Sequence, residues 1–495
     1  MSRVVVVGSG NAGLCAALSA AQQGADVIVV EAGGEADFGG NSRYTAGAMR
    51  FAYRGRDDVL GLVDAQDPHV AACDFGAYPE AEFEADLRQF SDGAQLNPLQ
   101  RLLVRDSRST LRWLTESGVS FEPIYSRQAV RINGRYRFWG GLTLAAVGEG
   151  ESLINRERSL AKAAGCEFAL NAPVTALLQT HAALRQVKSR VCGVRTASGA
   201  DIIADAVVLA CGGFEANADE RAVRLGAAWR SAKVRGTALN QGAGLTLAQS
   251  AGAALAGDFE RCHAVCMDTA TPDFRDSAMP HVERRRFRRI SYPFGVMLNR
   301  RGERFVDEGA DFRNYTYAQY GAAVLEQPGA VAWQIFDAAG AKLLYDDYFQ
   351  ELATHWQAPR LSELIDQLPG IDRCQAMRTL DAYNASAPGE GFDPTIKDGC
   401  AARGLDPPKS NWATPLLEPP FHAFEVTCGI TFTYGGLAVD VAGRVLDGAG
   451  RPVPGLFAAG EIVGGLFFDG YPGGSGLTAG AVMGRRSGAS AAQVY

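Results

Sequence analysis

Gly8, Gly10 and Gly13 fall at the spacing Gly-x-Gly-x-x-Gly, and Glu31 follows further along the chain. Glycines at this spacing suit phosphate chemistry. The first permits a sharp turn, the second lets the backbone approach a pyrophosphate, and the third allows a helix to pack closely on a strand. The amides at the start of that helix then face the phosphates. An acid placed as Glu31 is accepts hydrogen bonds from both ribose hydroxyls, and its charge disfavours a 2′-phosphate. A second chemistry-bearing group is Arg284-Arg285-Arg286-Phe287-Arg288-Arg289, five arginines in six positions. Guanidinium forks grip carboxylates bidentately, which makes a polycarboxylic acid the natural small ligand; a solvated basic loop is the alternative.

The glycine motif works only if a strand enters it and a helix leaves it. Residues 3–31 supply both: Val4 to Val7 read as a strand, Leu14, Ala17, Leu18 and Ala21 as the stripe of a helix, and Val27 to Val30 as a second strand ending at Glu31. This βαβ unit, with turn and acid in register, reads as a dinucleotide site rather than a structural turn. Residues 97–118 read as an amphipathic helix carrying Leu99, Leu102, Leu103, Leu111, Trp113 and Leu114, stopped by Gly118. Val187 to Val194 and Ile202 to Leu209 read as strands. Beyond about residue 260, aromatic and charged residues mix through irregular stretches with breaks at Pro407-Pro408 and Pro419-Pro420, which suggests a second domain. From Gly429 the glycines return, and Leu456 to Glu461 again has a strand-to-turn pattern, so the first domain is expected to resume at the C-terminal side.

The 495 residues carry 48 Lys and Arg against 55 Asp and Glu, a net charge of −7, which argues against nucleic acid as a partner. Hydrophobic residues make up 47% of the chain, enough for packed cores and against disorder. The 58 glycines exceed the usual share of about 7% without a Gly-X-Y period, so turns and close backbone approach account for them. No secretory pattern precedes Val4, and no apolar run reaches the ~18 residues of a membrane span, so a cytoplasmic protein without membrane insertion is expected. The ten cysteines include no Cys-x-x-Cys pair and read as reduced core thiols. Cys262 and Cys266 flank His263, but a second ligand cluster is missing and no metal is expected. Gly242-Ala243-Gly244 lacks a preceding strand and a third glycine, so no nicotinamide site is expected.

Gly39-Gly40-Asn41-Ser42, the run Val207-Val208-Leu209-Ala210-Cys211-Gly212-Gly213 and the late Gly460-Glu461 accompany the opening motif. Together they resemble the FAD-binding domain of the fumarate reductase and succinate dehydrogenase flavoprotein superfamily over nearly the whole chain. Asn240-Gln241-Gly242, Arg304 to Gly309 and Gly429 to Tyr434 are similar to the tricarballylate dehydrogenase branch. The resemblance implies FAD held by Gly8, Gly10, Asn11, Ala12, Gly13, Glu31, Ala32, Gly40, Asn41, Ser42, Gly47, Val174, Ala210, Gly212, Asn240, Gly460, Glu461, Gly474, Ser475, Gly476 and Leu477. It implies Glu461 at the ribityl chain and the Gly473 to Gly476 turn against the isoalloxazine. A helix N-terminus there is aimed at the N1/C2 carbonyl edge, where its positive end favours the anionic reduced flavin. Some relatives carry a flavin-linked histidine shortly after the Gly-Gly-Asn turn; Tyr44 stands at that place, which implies non-covalent FAD.

A flavin that dehydrogenates a saturated carbon pair needs one C–H over N5 and a base facing the neighbouring carbon. By the resemblance, His263 corresponds to a substrate-binding histidine of the cap, with a satisfied core histidine as the alternative, and Thr433 joins the substrate site. Arg288 and Arg289 stand first among the arginines as carboxylate clamps. Arg313 falls within one residue of the arginine that moves the substrate proton in fumarate reductases; a salt bridge to Glu308 or Asp311 is the alternative. The second histidine and the late arginine that clamp the dicarboxylate there are Phe432 and Tyr471 here, which argues against fumarate or succinate. Tyr471-Pro472-Gly473 is similar to the 3-ketosteroid dehydrogenases, in which a tyrosine and a backbone N–H polarise a ketone, although Ser475 stands where that family has glycine. Tyr315, Tyr317 and Tyr320 could supply a phenolic base in that scheme, or pack between domains.

The expectation is an α/β protein: a discontinuous Rossmann-like FAD-binding domain over 1–260 and 428–495, with an inserted α+β capping domain over 261–427. The expected activity is FAD-dependent oxidation of tricarballylate to cis-aconitate, with Arg313 and Tyr471 as catalytic residues. A small polycarboxylate would be the substrate and a separate protein the electron acceptor. The alternatives are a 3-ketosteroid-type or other enone-forming dehydrogenase, and a flavin electron-transfer or sensor subunit.

Overall fold

Four β-branched residues, Val4 to Val7, form the buried centre of the strand Arg3–Val7, and the sheet is built outward from it. A computed structural model of the chain describes residues 2–91, 95–126, 128–180, 189–274, 279 and 281–494, without the side chains of 281, 282 and 285. Six strands lie in the order Arg444–Leu446, Pro452–Ala458, Ala206–Leu209, Arg3–Val7, Asp26–Val30, Glu167–Ala169. Every pairing is parallel except that between the first two. Strands of a parallel sheet are covered on both faces, which is why this sequence runs apolar without alternation. The C-terminal strand Pro452–Ala458 completes the sheet beside Ala206–Leu209, so the end of the chain returns to its beginning.

The opening helix Asn11–Gln22 packs against the last helix Ser475–Ala492. Gly484 and Gly488 bring the two backbones together; a Cβ would stand 2.3 Å from the Ala12 carbonyl oxygen at one and 2.1 Å from that of Ala16 at the other. A larger residue at either place would push the helices apart. The amphipathic helix expected over 97–118 is Pro98–Ser117, opened by an Asn97/Gln100 capping box and closed at Gly118.

The strand expected over 202–209 is two strands. Asp201–Ile203 pairs with Val191–Thr196 in a separate three-stranded sheet, and the chain changes sheets at Ala204-Asp205 before Ala206–Leu209 joins the parallel one. The partner strand begins at Val191 rather than Val187; residues 187 and 188 lie outside the described residues.

The second large sheet is organised by one long strand, Phe421–Thr433. Lys233–Val234, Cys262–Asp268, Ala332–Phe336 and Trp356–Ala358 all pair with it, and Val296–Asn299 extends the sheet beyond Ala332–Phe336. The helix Arg313–Leu325 packs on Cys262–Asp268 and on the long strand. Alternation along Cys262–Asp268 places Cys262 and Ala264 in a buried apolar cluster, while His263 and Val265 line a cavity between the two large sheets. No helix among the described residues is long and apolar enough to cross a membrane.

Candidate functional site

One cavity of about 340 Å3 lies between the two sheets. Its first end is glycine-lined backbone. Gly8 turns there with φ +106°, and a Cβ would meet the Ala210 carbonyl oxygen at 2.4 Å, so only glycine serves. Gly10 lines the cavity, whereas Gly13 lies behind it, where a Cβ would be 2.1 Å from the Gly8 oxygen. Ser9 folds back on Glu31: its amide and hydroxyl reach Glu31 Oε2 at 2.9 and 2.6 Å, and the Gly33 amide reaches Oε1 at 2.9 Å. These bonds orient the carboxylate and leave Oε1 able to accept a further donor.

Two helix N-termini open on this cavity. The helix beginning at Asn11 and the helix beginning at Ser475 both have a glycine at the N-cap and no side-chain cap. Their positive dipole ends therefore point to the space, as binding of an anionic group requires, although the first amide of the second helix, that of Ser475, is taken by the Pro472 carbonyl at 3.1 Å. Asn11 is held by Ser42 Oγ on its amide at 3.1 Å and by its own Nδ2 on the Leu477 oxygen at 2.8 Å, which ties both helix ends to the Gly39–Ser42 turn.

Gly8, Gly10, Asn11, Ala12, Glu31, Ala32, Gly40, Asn41, Ser42, Val174, Ala210, Gly212, Asn240, Gly460, Glu461, Gly474, Gly476 and Leu477 all line the cavity. Gly47 and Ser475 stand behind the lining with Gly13: a Cβ at Gly47 would press on Glu149, and Ser475 is fully buried. The donor-rich, glycine-lined end fits an elongated dinucleotide with a pyrophosphate at its middle.

The other end is aromatic and cationic. Arg235, His263, Arg288, Arg313, Tyr317, Tyr345, Phe432, Thr433 and Tyr471 face it, and among the described lining residues the only acids are Glu31, at the glycine-lined end, and Glu461, whose Oε1 is held by Thr433. His263 is buried and neither ring nitrogen has a hydrogen-bond partner among the described residues. It is therefore not a satisfied core histidine. Its ring stands edge-on to Tyr317 and Phe432 at 4.9 and 5.0 Å and close to Tyr471 at 5.1 Å. Burial, reinforced by Arg235, holds its pKa well below the ordinary value, so it is neutral and can donate one N–H and accept at the other nitrogen.

Arg313 starts the helix Arg313–Leu325 and lies across the rings of Tyr345 and Trp139, 4.5 and 5.2 Å from their centroids. Burial lowers its pKa, with the charge of Arg288 acting in the same direction. The two acids weighed as salt-bridge partners are engaged elsewhere, Glu308 with Arg304 and Asp311 with Lys397 at 3.2 Å. Tyr317 lies one turn further on the same helix, and its hydroxyl meets that of Tyr471 at 2.5 Å. Burial raises both phenols, and the bond from Tyr471 partly offsets the rise at Tyr317.

The arginine run divides. Arg288 reaches the cavity, with Nη2 on Asp347 at 3.3 Å and Nε without a partner among the described residues. Arg289, expected beside it as a clamp, does not. Its guanidinium is buried against Asp268 at 2.9 Å and also donates to the carbonyls of Arg286 and Arg288, so its donors are used within the fold. Arg284 binds the carbonyls of Phe274 and Met279, and Arg286 meets Glu283 and Asp347. The side chain of Arg285 lies outside the described residues. Tyr315 and Tyr320 are also turned away from the cavity, Tyr315 to Asp86 at 2.7 Å and Tyr320 to the Asp307 carbonyl.

Sequence reasoning missed Arg235, Tyr345, Asn314 and Glu215. Arg235 is a single arginine in a non-periodic stretch and carried no signal. Glu215 did carry one, following the quoted Gly212-Gly213 pair by two residues. Among the described residues no cluster of three or more metal-ligating side chains occurs.

A family model described as FAD binding domain matches residues 3–477. The chain is 27% identical over 498 residues to a fumarate reductase (cytochrome) of Shewanella frigidimarina, covering 99% of this chain and 77% of that protein. It is 29% identical over 545 residues to 4-oxocyclohexanecarboxylate 2-dehydrogenase of Sinomonas cyclohexanicum, covering 97% and 90%. Among solved structures, the open conformation of a flavocytochrome c3 fumarate reductase superposes with a TM-score of 0.71 at 25% identity, over 99% of this chain and 78% of that one.

Proposed function

The chain belongs to the FAD binding domain family, and from that premise we propose that it dehydrogenates a CH–CH bond of a polycarboxylic acid, taking tricarballylate to cis-aconitate. FAD as cofactor and oxidoreductase chemistry at CH–CH groups follow from the family and its members. The observation that carries the substrate reading is the distribution of charge: three arginines, Arg235, Arg288 and Arg313, and neutral His263 line the aromatic part of the cavity, against two acids in the described lining, Glu31 under the glycine-lined end and Glu461 held by Thr433. Arginines bind carboxylates with two parallel hydrogen bonds each, which also fixes the orientation of the carbon chain.

When bound, FAD would supply the two-electron acceptor for a hydride. The roles of the residues follow from their placement. Arg288 and Arg235 hold carboxylates, and His263 donates to another. Arg313, lowered by burial and held across two rings, receives the proton from the adjacent carbon. Phe432, Tyr434 and Phe467 keep water from the reacting end. The Gly8–Ala12, Gly40–Ser42 and Gly474–Leu477 segments hold FAD without a covalent bond, since Tyr44 offers no imidazole. Residues 261–427 act as the cap over a body formed by 1–260 and 428–495, the strand Phe421–Thr433 running across the second join. Electrons leave to a separate acceptor protein in the cytoplasm.

A second reading is favoured by the Tyr317–Tyr471 hydroxyl pair, which could polarise a ketone beside the C–H to be broken. The relative that acts on 4-oxocyclohexanecarboxylate bears a name that joins a ketone to a single carboxylate. Anaerobic mixing decides. Bleaching of the flavin absorbance by tricarballylate supports the first reading, and bleaching only by an oxo-carboxylate or a 3-ketosteroid replaces it. No bleaching by any of them leaves an electron-transfer or sensor subunit.

A further inference from the structure

Glu215 is a fully buried carboxyl and Glu461 a half-buried one, and the fold sets both against the Gly212-Gly213 turn, the first two residues after it and the second from the turn Gly460–Ile462, close enough for each to act on the other's protonation. Their other partners are arranged with a clear asymmetry. Asn41 Nδ2 at 2.6 Å and Asn240 Nδ2 at 2.5 Å both donate to Glu215 Oε1. The Thr433 amide at 2.8 Å and its hydroxyl at 3.2 Å both donate to Glu461 Oε1. Asn41 cannot reverse its amide, because the Thr237 N–H holds its Oδ1 at 2.8 Å. Each carboxyl thus has one oxygen supplied with donors, and Glu215 Oε2 finds no N–H or hydroxyl among the described residues. Gly213 leaves room for Glu461 and Thr433 beside this turn, since a Cβ there would lie 2.3 Å from Glu461 Oε1 and 2.2 Å from Thr433 Oγ1.

Two carboxylates this close, one fully buried and the other covered once FAD fills the cavity, cannot both be charged; the stable state has one proton between them and one negative charge. Burial raises both groups; the mutual contact raises Glu461 further and lowers Glu215, so the shared proton rests on Glu461. The other charged or titratable groups facing the pair are Arg221, whose Nη1 donates to the Glu215 carbonyl, and the thiols of Cys211 and Cys262, both pushed up by burial and by these carboxyls. Glu461 itself lines the cavity that the family assigns to FAD.

We propose that the Glu215–Glu461 pair holds one proton beside oxidised FAD and takes a second from solvent when the cofactor is reduced. The inference rests on FAD occupying this cavity. Hydride arrival brings two electrons and one hydrogen to the cofactor and adds one negative charge. The pair, passing from one negative charge to none, offsets it, and the proton returns to solvent on reoxidation. Glu215 is on this account a positioning and proton-holding residue that acts through Glu461.

The test is an anaerobic redox titration of the FAD-loaded full chain at several pH values, with infrared difference spectra of the oxidised and reduced forms. Wild type is expected to take up one proton more per electron pair than Glu215→Gln. A carboxylic-acid C=O band should grow on reduction, shift in D2O, and be missing in Glu215→Gln and Glu461→Gln. Equal proton counts, or a wild-type spectrum without that band, overturn the proposal. If either variant fails to retain FAD, the wild-type infrared spectrum decides alone. Wild-type protein that takes up no FAD, read from visible absorbance before any titration, overturns the cofactor assignment and the pair's role with it.

Discussion

Tyr317 and Tyr471 meet hydroxyl to hydroxyl at 2.5 Å although 154 residues separate them. One is carried by the helix that starts at Arg313, the other by the loop before the last helix, and the ring of His263 stands against both. Among the described residues no group hydrogen-bonds the histidine, so phenol pair and imidazole together present polar atoms to whatever enters. Removing one of them tests what they touch. Tyr471→Phe is expected to lower kcat by about 10²-fold if the pair polarises a reacting carbonyl, and to leave kcat nearly unchanged if it only packs; steady-state kinetics on the substrate that bleaches the flavin reads this.

Gly8→Ala is expected to weaken FAD retention by tenfold or more, about 1.4 kcal/mol or above, because the left-handed turn and the Ala210 oxygen both exclude a Cβ. The ratio of visible to ultraviolet absorbance after gel filtration measures it. Acid precipitation of wild type should release the yellow colour to the supernatant, in keeping with Tyr44 in place of a histidine.

The arginines should separate by role. Arg288→Gln is expected to raise KM roughly thirtyfold, for about 2 kcal/mol of lost charge-assisted bonding. Arg313→Lys should lower kcat by about 10²- to 10⁴-fold with a smaller change in KM. Arg289→Gln should instead leave KM alone and destabilise the fold by about 3 kcal/mol or more, because it strands Asp268 without its buried partner. A thermal melt beside the kinetics distinguishes the three, and an Arg289 variant with a shifted KM and an unchanged melt would return that residue to the substrate site.

Lys409 offers a pH signature. It is fully buried with Nζ on the Gly295 carbonyl at 2.7 Å, and burial lowers its pKa from 10.5 to about 8, against the opposing pull of Glu308. Below about pH 8 both folded and unfolded chains carry the proton, and burying the charge costs stability. Between about 8 and 10.5 the unfolded chain binds more protons, so this contribution to stability rises with pH, by ~3 kcal/mol in all. The difference in Tm between wild type and Lys409→Met should change across that window in favour of wild type; a constant difference would show the ammonium is not destabilised.

Local pattern was enough for the opening βαβ unit and its cofactor. The constraints there are short-range: a β-branched run, glycines demanded by one turn and one helix contact, and an acid at the end of the next strand, all within residues 3–31. The helix Pro98–Ser117 was legible for the same reason, with its cap, stripe and stop residue contiguous. The reacting end was not, because its members come from distant strands and helices and depend on which way each side chain turns. Arg288 and Arg289 are neighbours of identical chemistry, yet one reaches the cavity and the other is consumed by Asp268. Tyr315, Tyr317 and Tyr320 share a helix, but only Tyr317 faces inward. Glu215 gained a role only when the returning C-terminal segment set Glu461 against it. Residue types and spacing determined the cofactor end, where backbone geometry is the chemistry; the substrate end was decided by tertiary packing, because burial and long-range partners set which charges remain open and which are spent.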